Sequence, residues 1–234
     1  MSWLKLGLHL TSYYAFRVSL SNPAPNAPKS DVDAIEKPTL DVTLNSLCPP
    51  TLKNLLAIPA LAEVAIVLAL HYPSAESTRV LEFLGYSPTS LWSEPPRLAL
   101  AGAALAVLGG LARKWCYRTL GKHFTFQLAL RPDHKLVTDG PYAIVRHPGY
   151  TAFFASCTGM LMLHATPGSW VRGAQALEPL RLGLAVVWPS LMLMAWSMLA
   201  RRLSAEDQFL RKHFGKVWDD YAARVRYWLV PGLI

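Results

Sequence analysis

Four apolar spans, at about residues 54–72, 97–112, 150–166 and 181–200, leave this chain few ways to fold. A bilayer core takes roughly 20 apolar residues per helix, within a range of about 17–25. Inside it every backbone N–H and C=O must find its partner within the protein, so such spans are read as helices. Pro59 and Glu63 interrupt the first span and Pro189 the fourth. The second and third are close to the lower length limit, so tilt, re-entrance or their flanks must complete them. Residues 1–20 are moderately apolar but carry Lys5, His9 and Arg17. They read as a poor first membrane helix, an interfacial helix or a targeting segment. The expected fold is all-α: a multi-pass helical membrane bundle of four to five spans with a cytosolic helical cap at the C-terminal end. Residues 21–50, with Pro23, Pro25, Pro28, Pro38, Pro49 and Pro50, read as an extended linker. The expected organisation is then an N-terminal segment and linker, 1–53, followed by a membrane domain, 54–234.

Composition agrees. Apolar residues make up 52% and charged residues 16%, where a soluble domain carries about 25% charged residues. The net charge of +8 is clustered. Arg113, Lys114, Arg118, Lys122, Arg131, Lys135 and Arg146 lie between the second and third spans. Arg201, Arg202, Arg211, Lys212, Lys216, Arg224 and Arg226 lie in the tail. Both segments are therefore expected on the cytoplasmic side, close to anionic lipid headgroups, rather than on nucleic acid. The mixed-charge 73–96 loop and the nearly neutral 168–180 loop would face the lumen. Cys48, Cys116 and Cys157 are too widely spaced for a zinc site or a disulfide framework. No terminal prenylation box, GxGxxG after a strand, P-loop or HExxH is present. In the second span Ala99, Gly102, Ala103, Ala106 and Gly110 recur at helical spacing and read as a helix-packing face.

Between the second and third spans runs Leu136-Val-Thr-Asp-Gly-Pro-Tyr-Ala-Ile-Val-Arg-His-Pro-Gly-Tyr150. So irregular a segment at a membrane edge must be buried in protein or line a wet cavity. Gly140-Pro141 sets a turn. Arg146 and His147 then precede a helix expected to begin near Gly149, whose first N–H groups suit an anion. By spacing alone His147 reads equally as a hydrogen-bonded helix start or as a functional imidazole, and Tyr142 and Tyr150 as belt tyrosines. In the tail, Arg202 and Glu206 stand four apart on one helical face. They read as a surface ion pair or, directly after a span where charge is costly, as a binding pair. In the second case Arg202 forks onto a carboxylate and Glu206 accepts from an ammonium or hydroxyl. That helix is expected to end near Gly215, with Trp218, Tyr221, Tyr227 and Trp228 forming a short amphipathic helix at the membrane surface.

Taken together, Gln127, His134-Lys-Leu-Val137, Gly140-Pro-Tyr142, Arg146-His-Pro-Gly-Tyr150, Arg202-x-x-x-Glu206-Asp207, Phe214-Gly215 and Tyr221 resemble the isoprenylcysteine carboxyl methyltransferase family over about residues 120–232. Two departures are visible: the family's usual paired glutamates read Glu206-Asp207, and Pro141 precedes Tyr142. The resemblance implies an all-helical membrane enzyme of the endoplasmic reticulum. Such an enzyme uses S-adenosylmethionine to methylate the C-terminal carboxylate of prenylated cysteine in proteins. It implies that Gln127, His134, Lys135, Leu136, Val137, Tyr142, His147, Pro148, Gly149, Tyr150 and Glu206 enclose the cofactor. Arg202 would meet the substrate carboxylate, with Arg202 and Glu206 as the catalytic pair. The chemistry asks for proximity and alignment more than for a base, because a carboxylate is already ionised at neutral pH. Two other readings stand beside it: a methyltransferase acting on a phospholipid or other lipid, and a non-catalytic membrane protein that binds the cofactor.

Overall fold

The computed structural model describes residues 2–21, 40–86, 95–124, 134–173 and 178–233. Among them every regular element is a helix. We label these α1 (Ser2–Ser19), α2 (Leu40–His71), α3 (Ala75–Phe83), α4 (Arg97–Leu120), α5 (Pro148–His164), α6 (Glu178–Phe214) and α7 (Lys216–Arg224). Short helical turns at Gly121–His123, Gly140–Ala143 and Trp170–Gly173 link them. Among the described residues two segments, Lys53–His71 and Arg97–His123, are long and apolar enough to cross a membrane.

The tightest packing is α4 on α5, and small residues make it possible. A Cβ on Gly102 would stand 2.8 Å from the Gly159 carbonyl oxygen, and one on Gly109 would stand 2.5 Å from the Ser156 nitrogen. Gly159 in turn lies against the backbone of Ala106, whose carbonyl accepts from Ser156 Oγ at 3.2 Å. Close backbone approach of this kind is how helices gain dispersion contacts where lipid offers no hydrophobic drive. The sequence expectation of a packing face is met. Gly110, on the next stripe, receives α1 at Ala15. Phe16 of α1 and Leu20 just after it, Leu56 of α2, Ala106 of α4, Cys157 and Met160 of α5 and Met192 of α6 close over one buried core.

Two expectations need correction. Residues 40–50, read as linker, are already helical: α2 begins at Leu40 and runs through Pro49, Pro50 and Pro59 to His71. Leu40, Leu44 and Leu47 follow helical spacing, which the proline content masked. The rest of the linker, 22–39, lies outside the described residues. The 73–96 loop carries a helix of its own, α3, started by a capping box between Ser74 and Ser77. Serine serves at both positions, so the usual Glu or Gln signal was missing.

α1 is fastened by charge as well as by packing. Lys5 Nζ lies 2.6 Å from Glu63 Oε2 and donates to the Gly168 carbonyl at 2.7 Å. Glu63 Oε1 accepts the Trp170 backbone N–H. His9 and His164 lie beside this pair with ring centroids 5.1 Å apart, and all four ionisable side chains are buried. An acid inside an apolar span is costly unless paired. Here the pair joins α1 to α2 and to the loop after α5.

Candidate active site

The site lies at the other end of α5, where its first turn meets α6. Gly140, at φ 58°, opens the helical turn Gly140–Ala143. Glycine adopts that left-handed backbone without a Cβ penalty. The turn delivers the chain to His147, which caps α5, with Pro148 in the first position. Proline suits that place because its missing N–H would have no helical partner. The helix start was expected one residue later, at Gly149. The opposite wall is α6. It does not stop with its apolar span but continues to Phe214, carrying Arg202, Glu206 and Asp207 past it. It ends, as the sequence predicts, before Gly215, whose φ of 53° turns the chain into α7.

Six side chains join these walls. Arg202 Nε donates to the Tyr150 hydroxyl at 2.7 Å, and that hydroxyl donates to Glu206 Oε2 at 3.0 Å. The Arg202–Glu206 relation anticipated on one helical face is thus bridged by a tyrosine from α5. His147 Nδ1 lies 3.7 Å from Glu206 Oε1, and its Nε2 lies 2.7 Å from Asp207 Oδ1. Asp207 Oδ2 accepts from Arg146 Nη1 at 2.6 Å. Each carboxylate therefore faces a cation from the 136–150 segment, some sixty residues away in sequence.

Electrostatics follow from this geometry. Burial by itself would lower the His147 imidazole. The hydrogen bonds to Asp207 and Glu206, with their charges, outweigh it and raise it to about 9. Burial would raise Glu206, but the His147 hydrogen bond and charge, then Arg202 and Tyr150, hold it down at about 2. At neutral pH the site contains the His147 imidazolium and the Glu206 carboxylate. Tyr142 is pushed well above its ordinary value, mainly by burial, and it feels the charges of Arg113 and Glu206.

The tail straps the segment in place. Arg146 N–H donates to the Tyr227 carbonyl and His147 N–H to the Trp228 carbonyl, both at 2.9 Å. Thr151 Oγ1 donates to Leu229 O at 2.7 Å. The Arg146 guanidinium lies 5.4 Å from the Trp218 ring and 5.2 Å from the Trp228 ring. Tyr227 and Trp228 are thus part of this extended strap, not of the amphipathic helix expected there; α7 ends at Arg224. Backbone donors just before a helix need acceptors, and the strap supplies them. Trp218 Nε1 donates to the Asp207 carbonyl at 2.6 Å, and the Tyr221 hydroxyl to the Tyr142 carbonyl at 2.8 Å.

Of the residues singled out from sequence, Tyr142, His147, Tyr150, Arg202 and Glu206 converge, with Pro148 and Gly149 buried in the first turn of α5. His134 approaches the α6 terminus, its ring centroid 6.0 Å from that of Phe214. Leu136 enters the apolar cluster of Trp218, Tyr221 and Val225. Val137 is half-buried and Lys135 is exposed. Gln127 lies outside the described residues. Sequence reasoning missed the roles of Arg146 and Asp207 as a pair. The adjacency of Asp207 to Glu206 was the available signal.

Comparison with known proteins bears on the same region. The model of the isoprenylcysteine carboxyl methyltransferase family matches residues 102–212. The chain is 28% identical to protein-S-isoprenylcysteine O-methyltransferase B of Arabidopsis thaliana over 169 residues, 69% of this chain and 74% of that protein. It is 28% identical to a probable protein-S-isoprenylcysteine O-methyltransferase of Oryza sativa subsp. indica over 55% of this chain and 59% of that protein. It is 32% identical to protein-S-isoprenylcysteine O-methyltransferase of Schizosaccharomyces pombe over half of this chain and 43% of that protein. The chain thus spans about three quarters of the Arabidopsis relative and less than two thirds of the other two. No solved structure matches it.

Proposed function

Because the chain belongs to the isoprenylcysteine carboxyl methyltransferase family through residues 102–212, we propose that it methylates the C-terminal carboxylate of prenylated cysteine in proteins. The methyl donor is S-adenosylmethionine, and the site faces the cytosol at the endoplasmic reticulum membrane. One observation carries the reading: Arg202, Tyr150, Glu206 and His147 form one connected network that joins two basic segments distant in the chain.

The residues fit a donor with a cationic amino-acid end. Glu206 stays ionised to about pH 2 and offers a carboxylate to an ammonium. Tyr142, close enough to feel the charges of Glu206 and Arg113, adds a hydroxyl to the same region. In this reading Gln127, the 134–137 run, Tyr142, His147, Pro148, Gly149, Tyr150 and Glu206 enclose the donor. The donor, when bound, supplies an electrophilic methyl group. Arg202 has its Nε fixed by Tyr150, which orients the guanidinium plane for a two-point hold on an acceptor carboxylate. His147 and Arg146 hold α5 against α6 and keep the carboxylate pair in place. Substrate alignment, rather than proton removal, is what these groups provide. A prenyl chain reaches the site from the bilayer and the polar donor from the aqueous side.

Detergent-purified protein should transfer a labelled methyl group from S-adenosylmethionine to farnesylcysteine. Label appearing in phospholipid and not in farnesylcysteine would replace this acceptor by a lipid. Folded protein that labels neither would remove the enzyme reading.

A further inference from the structure

Arg113 is a charge that the network above does not use. It lies on α4, one helix behind the site, and only 8% of it is exposed. Its Nε donates to the Tyr117 hydroxyl at 3.0 Å and to the Ser19 carbonyl at 3.4 Å. Its guanidinium rests 4.9 Å from the Tyr117 ring and 5.8 Å from the Phe124 ring. These contacts hold the stem and one edge of the fork. Among the described residues neither Nη1 nor Nη2 has a hydrogen-bond partner, and no carboxylate pairs with Arg113. A buried cation without a counter-charge is expensive to keep, and its retention calls for an anion.

The position of the fork says where that anion sits. Nη1 lies against Gly149, so closely that a Cβ there would collide with it. Gly149 is in the first turn of α5. Pro148 has no N–H, and the N–H groups of Tyr150 and Thr151 are both turned back onto the His147 carbonyl, at 3.1 and 3.5 Å. The Gly149 N–H is left as the open donor of that 17-residue helix, at the positive end of its dipole. Two independent donors, a guanidinium and a helix N-terminus, thus lie at the same turn of α5. Glycine at 149 is what lets the guanidinium approach it. Tyr142 feels the charges of both Arg113 and Glu206, and so links this corner to a carboxylate able to take an ammonium.

We infer that Arg113 and the first turn of α5 form a carboxylate subsite, which binds the α-carboxylate of the methyl donor's amino-acid end while Glu206 takes its ammonium. This rests on the reading of the site as a methyl-donor pocket. It assigns Arg113 to the donor and leaves Arg202 to the acceptor, so the two anions of the reaction are held by different arginines.

The test compares two ligands that differ only in that carboxylate: S-adenosylmethionine and its decarboxylated analogue, by equilibrium binding to the detergent-purified full chain. Wild-type protein should bind the carboxylated ligand roughly 10–100-fold more tightly, the scale expected when a buried charge is paired. Arg113→Met should erase that preference while still binding the decarboxylated ligand, which also shows that the variant is folded. Arg113→Lys, keeping the charge on a different head, should retain part of it. Equal weakening of both ligands in Arg113→Met, or an unchanged preference, would overturn the subsite and leave the donor pocket standing. Wild-type protein that binds neither ligand would overturn both. Loss of preference in Arg113→Met, with no methyl transfer to farnesylcysteine by wild type, would support the subsite and remove only the acceptor.

Discussion

Replacing Asp207 by asparagine keeps the shape of the side chain and removes the charge shared by Arg146 and His147. The structure sets the size of the effect. His147 titrates at about 9 in the folded protein against 6.5 for the ordinary imidazole, a difference equivalent to about 3 kcal/mol. The sign follows from the direction. A group raised on folding contributes its full stability below pH 6.5 and loses it as pH rises through 9. Wild-type protein should therefore lose about 3 kcal/mol from this group across that window. Burial is the largest influence on His147 and acts downward; the Asp207 hydrogen bond is the largest influence against it. Without Asp207, burial is opposed by Glu206 alone, and the imidazole falls back towards its ordinary value. Asp207→Asn should then lose less than about 1 kcal/mol over the same window. It should also be less stable at pH 6, where the charged pair is intact in wild type. Thermal unfolding in detergent at half-unit steps from pH 6 to 9.5 reads both quantities. Parallel wild-type and variant curves would show that Asp207 does not hold the proton on His147, and the proposed electrostatics of the site would be wrong.

Glu206→Ala should weaken S-adenosylmethionine binding by about tenfold or more, whereas Arg202→Ala should leave binding near wild type and cut methyl transfer to the prenyl acceptor; calorimetry beside a labelled-methyl assay separates them, and unchanged donor affinity in the glutamate variant would refute the assignment. Glu63→Ala strands Lys5 in the core next to His9 and His164, and should cost about 3–5 kcal/mol in unfolding experiments; a loss below about 1 kcal/mol would mean the pair is wetter than its burial implies. Gly159→Ala drives a Cβ into the Ala106 backbone and should cost about 1–3 kcal/mol through separation of α4 and α5, read as a lower unfolding temperature in the same detergent.

Local pattern carried a large part of this protein. Apolar length, small-residue spacing and a helix-ending glycine depend on near neighbours, and they specified helices, the α4–α5 packing face and the end of α6 at Gly215. The site residues that converge, Tyr142, His147, Tyr150, Arg202 and Glu206, were legible because their spacing resembles a known family. That was recognition of a pattern rather than a derivation of contacts. Proline content misled at residues 40–50, since composition averages over a helical register that three leucines already showed.

What the linear order of residues leaves open is which distant groups meet. Arg202 and Glu206 look like a pair by periodicity, yet a hydroxyl from fifty residues earlier stands between them. Tyr227 and Trp228 look like part of an aromatic helix face, yet their carbonyls serve as acceptors for Arg146 and His147. Arg113 looks like one more positive-inside residue, and only the approach of α5 along its glycine brings the guanidinium to a helix terminus. The reason is common to all three. Helix formation is decided by short-range sterics and burial, whereas partner choice for a buried charge is decided by the packing that removes water from it.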